Sequence, residues 1–203
     1  MNEMCAFIGK TYEFLLALKK AGFTDELIQE IINSKNNEMA VKMFAAIVSD
    51  PAAESTINAI IFDFAVDYTR TVAEMVKVGK YDWSNNNITA DHYPIPHDKA
   101  CKKEDINTKV FHFNRAISSA DAVKEMEKEG YRPATAHEIM AFGEKNPELQ
   151  RQFPIVALGS VWRDDDLNRY VLVLDEFVSM RGLLLDRWDG DWRVDYRFLA
   201  VRK

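Results

Sequence analysis

The residues of this chain best equipped to recognise another molecule crowd into its last quarter. Arg181, Arg187, Trp188, Asp189, Asp191, Trp192, Arg193, Asp195 and Tyr196 fall within sixteen positions. They interleave aromatic rings with both signs of charge around the tight turn expected at Asp189-Gly190. Seven of the eleven arginines and three of the four tryptophans lie from Trp162 onward, and no lysine stands between Lys145 and Lys203. Arg and Trp are enriched at binding hot spots because they combine a large contact area with a polar handle. The same composition also suits a small sheet core that packs tryptophan inward and turns arginine to solvent. Trp188 and Trp192 can face either way on this reading.

Catalytic chemistry finds less support. The four histidines are His92, His97, His112 and His137. His137-Glu138 begins like the zinc-protease pattern HExxH, but the second histidine position is Ala141, so both ligands cannot meet on one helical face. His137 reads instead as a polar residue in the first turn of a capped helix. His92 and His97 share a Pro-rich loop with Asp91 and Asp98 that could hold a metal ion, although such loops are ordinarily just solvated. Asp164, Asp166 and Asn168 copy the opening of a calcium loop. Arg169 then stands where the sharp-turn glycine belongs, so the segment reads as a hairpin turn. No GxSxG, no glycine-rich phosphate loop and no nucleophile with a nearby base occurs. The expectation is a protein that is not an enzyme and carries no cofactor.

The elements that must position these residues divide the chain in three. Residues 1–80 read as helical. Phe7, Phe14, Leu15 and Leu18 recur at helical spacing over 3–20 before Gly22; Thr24 caps a short second helix; a third spans 38–48. Asp50-Pro51 restarts a helix predicted to run to residue 78, with Ile57, Ile60, Ile61, Phe64, Tyr68, Val72 and Met75 on one stripe. Residues 81–107, rich in Asn, Asp, Pro and His, read as a linker or wrapped connection. The remainder opens with a strand at 109–113 (KVFHF). Helices capped by Ser118 and by Thr135 with Glu138 follow. Strands are then expected at 154–162, 169–175, near 183–186 and at 196–201 (YRFLAV). Strand, helix, helix and several strands is an α+β order.

Composition narrows the function classes. Lys+Arg is 26 against 32 Asp+Glu, a net charge of −6, which supplies no general basic surface for nucleic-acid phosphates. No apolar run approaches the roughly 20 residues of a membrane span. The N-terminus lacks the basic and apolar regions of a signal peptide. Cys5 and Cys101 are far apart, so neither a disulfide scaffold nor a thiolate zinc site is expected. A cytoplasmic protein without nucleic-acid or membrane partners is the expectation.

GYRPATAHEIMAFG, FPIVALGSVW, the polar hairpin and the closing WDGDWRVDYRFLAVRK together resemble the C-type-lectin fold in its prokaryotic form. Formylglycine-generating-enzyme-like domains and the variable proteins of diversity-generating retroelements share that form. The resemblance covers about residues 108–203. It implies that KVFHF and YRFLAV pair as first and last strands, that the two capped helices follow the first strand, and that 162–196 forms the ligand face. No cysteine follows Cys101, so the cysteine-dependent oxidase activity of the formylglycine-generating enzymes does not carry over. The eukaryotic lectin disulfides and calcium-binding Trp-Asn-Asp signature are also missing.

The combined expectation is an α+β chain: a helical region over 1–80, then a C-type-lectin-like domain over 108–203 with two helices and a small, mostly antiparallel sheet. Its function would be non-enzymatic recognition of a protein or other macromolecule through a surface open to diversification. The expected ligand-binding residues are Trp162, Arg181, Leu183, Leu185, Arg187, Trp188, Asp191, Trp192, Arg193, Asp195 and Tyr196. Residues 1–80 are the candidate for homo-oligomerisation. The competing readings are a structural or phage-associated oligomeric component and a metal-assisted enzyme on the same scaffold.

Overall fold

Phe62, Phe64 and Val66 turn inward while Ile61, Asp63 and Ala65 are exposed. That period of two makes Ile61–Asp67 a strand, β1. The computed structural model describes residues 61–203 and so corrects the end of the long helix predicted from Asp50-Pro51. Ile61, Phe64 and Tyr68 satisfy helical spacing, but the alternate residues also satisfy a strand, and pairing with a partner strand decides between them. Helix resumes only at α1 (Val72–Gly79), opened by a capping box in which Thr71 N–H donates to Glu74 Oε2 at 2.8 Å. The described residues all belong to one compact unit. The helices expected over 3–20, from Thr24 and over 38–48, with Ile57 and Ile60 of the fourth, lie outside the described residues.

The expected linker is largely a wrapped connection. Trp83–Ser84 forms the short strand β2, Ile88 and Tyr93 are buried in the core, and β3 begins within the expected linker, at Lys103. β3 (Lys103–Phe111) pairs antiparallel with all of β1, from Ile61 opposite Lys109 to Asp67 opposite Lys103. The short strand β4 (Ile117–Ser118) leads into α2 (Ser119–Lys128), capped by Ser118, whose Oγ accepts from Asp121 N–H at 3.1 Å. β5 (Tyr131–Pro133) precedes α3 (Ala136–Lys145). Then come β6 (Ile155–Arg163), β7 (Arg169–Phe177), β8 (Met180–Arg187), β9 (Asp191–Trp192) and β10 (Arg197–Arg202).

The architecture is a mixed α/β unit with three α-helices among the described residues; α2 and α3 are the two expected over 108–203, but the sheet is large where a small one was expected. Eight strands join in it, in the order β1-β3-β10-β6-β7-β8-β2 with β5 beside β10. The expected pairing of the KVFHF and YRFLAV segments is present: β10 runs antiparallel to β3, Phe198 opposite Phe111. β10 is parallel to β6, and β6, β7 and β8 form an antiparallel meander. β4 and β9 pair separately, Ile117 opposite Trp192.

Both faces of this sheet are covered. Leu172, Leu174, Leu199 and Val201 join a core with Val72 and Met75 of α1 and Ile139, Met140 and Phe142 of α3. The alternate residues Val171, Val173, Phe198 and Ala200 join a second core with Ala122 and Met126 of α2 and Trp192 of β9. Burial on both sides explains why β7 and β10 read as unbroken apolar runs. Between Ala157 and Trp162 the register of β6 against β7 shifts. There Gly159 N–H donates to Ala134 O at 2.8 Å, so close that a Cβ on Gly159 would stand 2.6 Å from that oxygen.

Candidate functional site

Eleven residues between Trp162 and Tyr196 were expected to form one binding face, and the structure separates them. Arg181 is 6% exposed and Leu183 fully buried, so neither belongs to a recognition surface. The Arg181 guanidinium donates to Gly79 O at 3.0 Å, Lys80 O at 3.3 Å, Gly143 O at 2.9 Å and Gln150 Oε1 at 3.1 Å, and it lies 5.1 Å from the centre of the Tyr81 ring. Three of these four acceptors are carbonyls at the C-terminal ends of α1 and α3, where the helix dipoles are negative. Arg181 therefore clamps two helix ends together. Leu183 packs on the α1–α3 side of the sheet, with the half-buried Leu185 against the same core. Trp162 is half-buried there too, its ring stacked on His92 at 4.4 Å and tilted against Tyr170 at 5.4 Å.

Five of the rest, Arg187, Asp191, Trp192, Arg193 and Tyr196, come together where β8 runs beyond its helical cover, and Trp188 and Asp195 stand outside that lining. A cavity of about 310 Å³ is lined by Asp186, Arg187, Asp189, Gly190, Asp191, Trp192, Arg193 and Tyr196. Trp192, expected as an exposed anchor, is 5% exposed and serves as its inner wall. Its Nε1–H donates to Ser119 Oγ at 2.8 Å, and Ser119 Oγ–H donates to Trp188 O at 2.7 Å. That relay fixes the wall to the first residue of α2. The Tyr196 ring stands 5.2 Å from the Trp192 ring. Gly190, with φ of 105°, makes the turn that closes the rim.

Two ion pairs flank the cavity, each carrying its arginine over an aromatic ring. Arg193 donates to both carboxylate oxygens of Asp195, at 3.1 and 2.7 Å, and its guanidinium lies 5.3 Å from the Tyr196 ring. Arg169 donates through Nε to Asp189 Oδ2 at 3.2 Å and through Nη2 to Oδ1, and lies 5.6 Å from the Trp188 ring. The hydrogen bonds from Arg169 hold the Asp189 carboxyl below its usual value, and Asp195 holds the Arg193 guanidinium above its own. Asp186, Asp191 and Arg187 are different: no ion pair joins them to another of the described residues. Burial raises the Tyr196 phenol, and the Asp186 carboxylate raises it further.

Asp186 and Arg169 escaped the sequence reading. Asp186 follows three leucines and looks like the end of a core strand; Arg169 reaches the site only through the β7–β8 register, which sets its neighbour Tyr170 opposite Arg187. The metal readings take ordinary structural form. His92 Nδ1 lies 2.8 Å from Asn87 O, and Asp164 Oδ1 accepts N–H groups of its own turn, from Asp166 at 3.0 Å and Asn168 at 2.9 Å. Among the described residues no three His, Cys, Asp or Glu side chains gather as a metal site, and no helix is long and apolar enough to cross a membrane.

A second polar cluster lies on the opposite side of the sheet. Glu138 is fully buried, accepting from Arg132 at 2.9 and 2.7 Å and from Thr135 N–H at 2.7 Å. Burial pushes this carboxyl up, but the Arg132 hydrogen bonds and charge outweigh it and keep it below the usual range. His137, 2% exposed beside Tyr68, is held below its ordinary pKa by burial. Glu138 secures the start of α3 through its bond from the Thr135 N–H. Comparison of the chain with protein-family models, curated proteins and solved structures gave no match.

Proposed function

We propose that this protein is a non-enzymatic, cytoplasmic recognition protein that binds a protein or other macromolecule through the face around the cavity, on a lectin-like scaffold. One observation carries the reading. Arg187, Asp191, Trp192, Arg193 and Tyr196, drawn from two strands and the loops beside them, line one concavity. Concave sites with aromatic walls and a few convergent polar groups are where ligands ordinarily bind. The β3–β10 pairing, with α2 and α3 following β3, supports the lectin-like part of the reading.

A diversified binding surface makes a specific demand on this geometry. Exposed or half-exposed positions Arg187, Trp188, Asp191, Arg193, Asp195 and Tyr196 are free to change, whereas Arg181, Leu183 and Trp192 hold the fold. Sequencing closely related copies from the same source tests it. Substitutions concentrated at the first six positions, with the latter three constant, support the reading. An invariant 181–196 segment, or changes scattered through the core, overturns diversification.

A further inference from the structure

We propose that the cavity beside Tyr196 seats a basic side chain, best an arginine, presented by a protein partner. This inference rests on the reading of the face as a recognition surface and names what it recognises. The lining offers two carboxylates, Asp186 and Asp191, and two aromatic rings, Trp192 and Tyr196. Setting aside the Arg193–Asp195 and Arg169–Asp189 pairs, those two carboxylates face one cation without an ion pair, Arg187, whose backbone N–H donates to Asp186 Oδ1 at 2.7 Å and leaves Oδ2 open. One negative charge is therefore left without a partner in the cavity. Asp186 stands near enough to the ring for its charge, after burial, to raise the Tyr196 phenol.

The site also displays the chemistry it would use. Arg193 lies across Tyr196 while bonded to Asp195, and Arg169 lies across Trp188 while bonded to Asp189. A guanidinium from outside would repeat the arrangement with Asp186 and Asp191 as acceptors and the uncommitted part of the Tyr196 ring as its floor. Arginine is favoured over lysine because its flat, five-donor fork meets a carboxylate and a ring together. A cavity of about 310 Å³ is at the small end of ligand sites, about 300–1,000 Å³, which suits one inserted side chain.

The test uses the full 203-residue chain, uniformly labelled with nitrogen-15, and titrates it with N-acetyl-arginine methylamide. The capped glutamate analogue serves as the anionic control. The capped arginine is expected to shift the Trp192 indole N–H and the Gly190 and Tyr196 amides saturably, with a dissociation constant on the order of millimolar. Asp186→Asn combined with Asp191→Asn is expected to weaken binding about tenfold, equivalent to about 1.4 kcal/mol. Asp165→Asn, outside the cavity lining, is expected to leave binding unchanged.

Absence of these shifts overturns the proposal, as does equal binding by the double variant or an equal response to the glutamate analogue. A spectrum of the double variant that is dispersed like the wild type's shows that it folds; if it does not, loss of arginine binding in 0.5 M salt replaces it as the readout, and persistence overturns the proposal. The two readings fail separately. A face that varies among copies but ignores arginine removes only the cation chemistry, whereas an invariant face that binds arginine removes only diversification.

Discussion

Arg181→Met removes the most deeply committed charge of β8, and it should destabilise the unit without touching the cavity. Four acceptors depend on this guanidinium: Gly79 O, Lys80 O, Gly143 O and Gln150 Oε1, at 2.9 to 3.3 Å. A hydrogen bond to a charged group contributes roughly 1.5–3 kcal/mol. Four of them suggest a large loss, but removing the cation also relieves the cost of having buried it. What remains is the penalty for buried helix-end carbonyls left without a donor, so a net loss of about 3–5 kcal/mol is expected, the range for breaking a buried charged network. In a unit of this size that lowers the melting temperature by roughly 10 °C, at about 2–4 °C per kcal/mol. Arg181→Lys keeps a charge and three donors but cannot span two helix ends, so most of the loss remains. The assay is urea unfolding followed by tryptophan fluorescence, with Arg187→Ala as control and no change expected in its midpoint. A loss below about 1 kcal/mol for Arg181→Met, at an unchanged denaturant slope, refutes the clamp and returns Arg181 to the surface.

Two further outcomes test the polar groups behind the site. The folded-state pKa of His137 lies below the ordinary 6.5 because of burial, so below that pH the unfolded chain takes up a proton that the folded chain refuses. Stability should therefore fall as pH drops through 6.5 and level off below the folded value, by at most about 1.4 kcal/mol per pH unit. Glu138, held below its ordinary value, keeps its contribution across that window. Urea midpoints from pH 7.5 to 5.5 should slope less in His137→Phe than in the wild type; identical slopes would sink the assignment. Ser119→Ala leaves the buried Trp192 indole N–H without its acceptor and should cost about 1–3 kcal/mol. A double-mutant cycle with Trp192→Phe should then show a coupling of about 1 kcal/mol. Additivity within about 0.5 kcal/mol would mean that the 2.8 Å bond does not hold the cavity wall.

How much of this was readable from sequence depends on the range of the interaction that decides each element. The caps of α2 and α3 and the strands β6, β7 and β10 were legible because their signals are local: Ser118, Thr135 with Glu138, and apolar runs between turn residues. β1 was not, since its stripe fits a helix as well as a strand and only pairing with β3, some forty residues on, selects the strand. Arg181 was misplaced for a stronger reason. A buried carboxylate–arginine pair leaves two charged residues to notice, but this cation donates mainly to backbone carbonyls, which every residue carries. Its acceptors Gly143 and Gly79 lie 38 and 102 positions away. No composition or spacing rule encodes such a partner.

The same strand nevertheless explains why the crowded segment reads as both core and surface. Along β8 burial falls from Arg181, Gly182 and Leu183, through half-buried Leu184 and Leu185, to exposed Asp186 and Arg187. α1, α3 and β2 cover the first part; nothing among the described residues covers the last. Each residue type is thus assigned by how far the strand has run rather than by its chemistry, and Arg181 and Arg187, six positions apart, do opposite work. The Asp189-Gly190 turn then brings Trp192 back under the sheet, where its bond to Ser119 makes a rigid wall for exposed charges to stand against. Rigid support beneath carboxylates that have no ion pair is the condition under which a bound cation loses least to side-chain ordering. On the proposed reading, Asp186 and Asp191, rather than the more numerous arginines, would be the residues that select a partner.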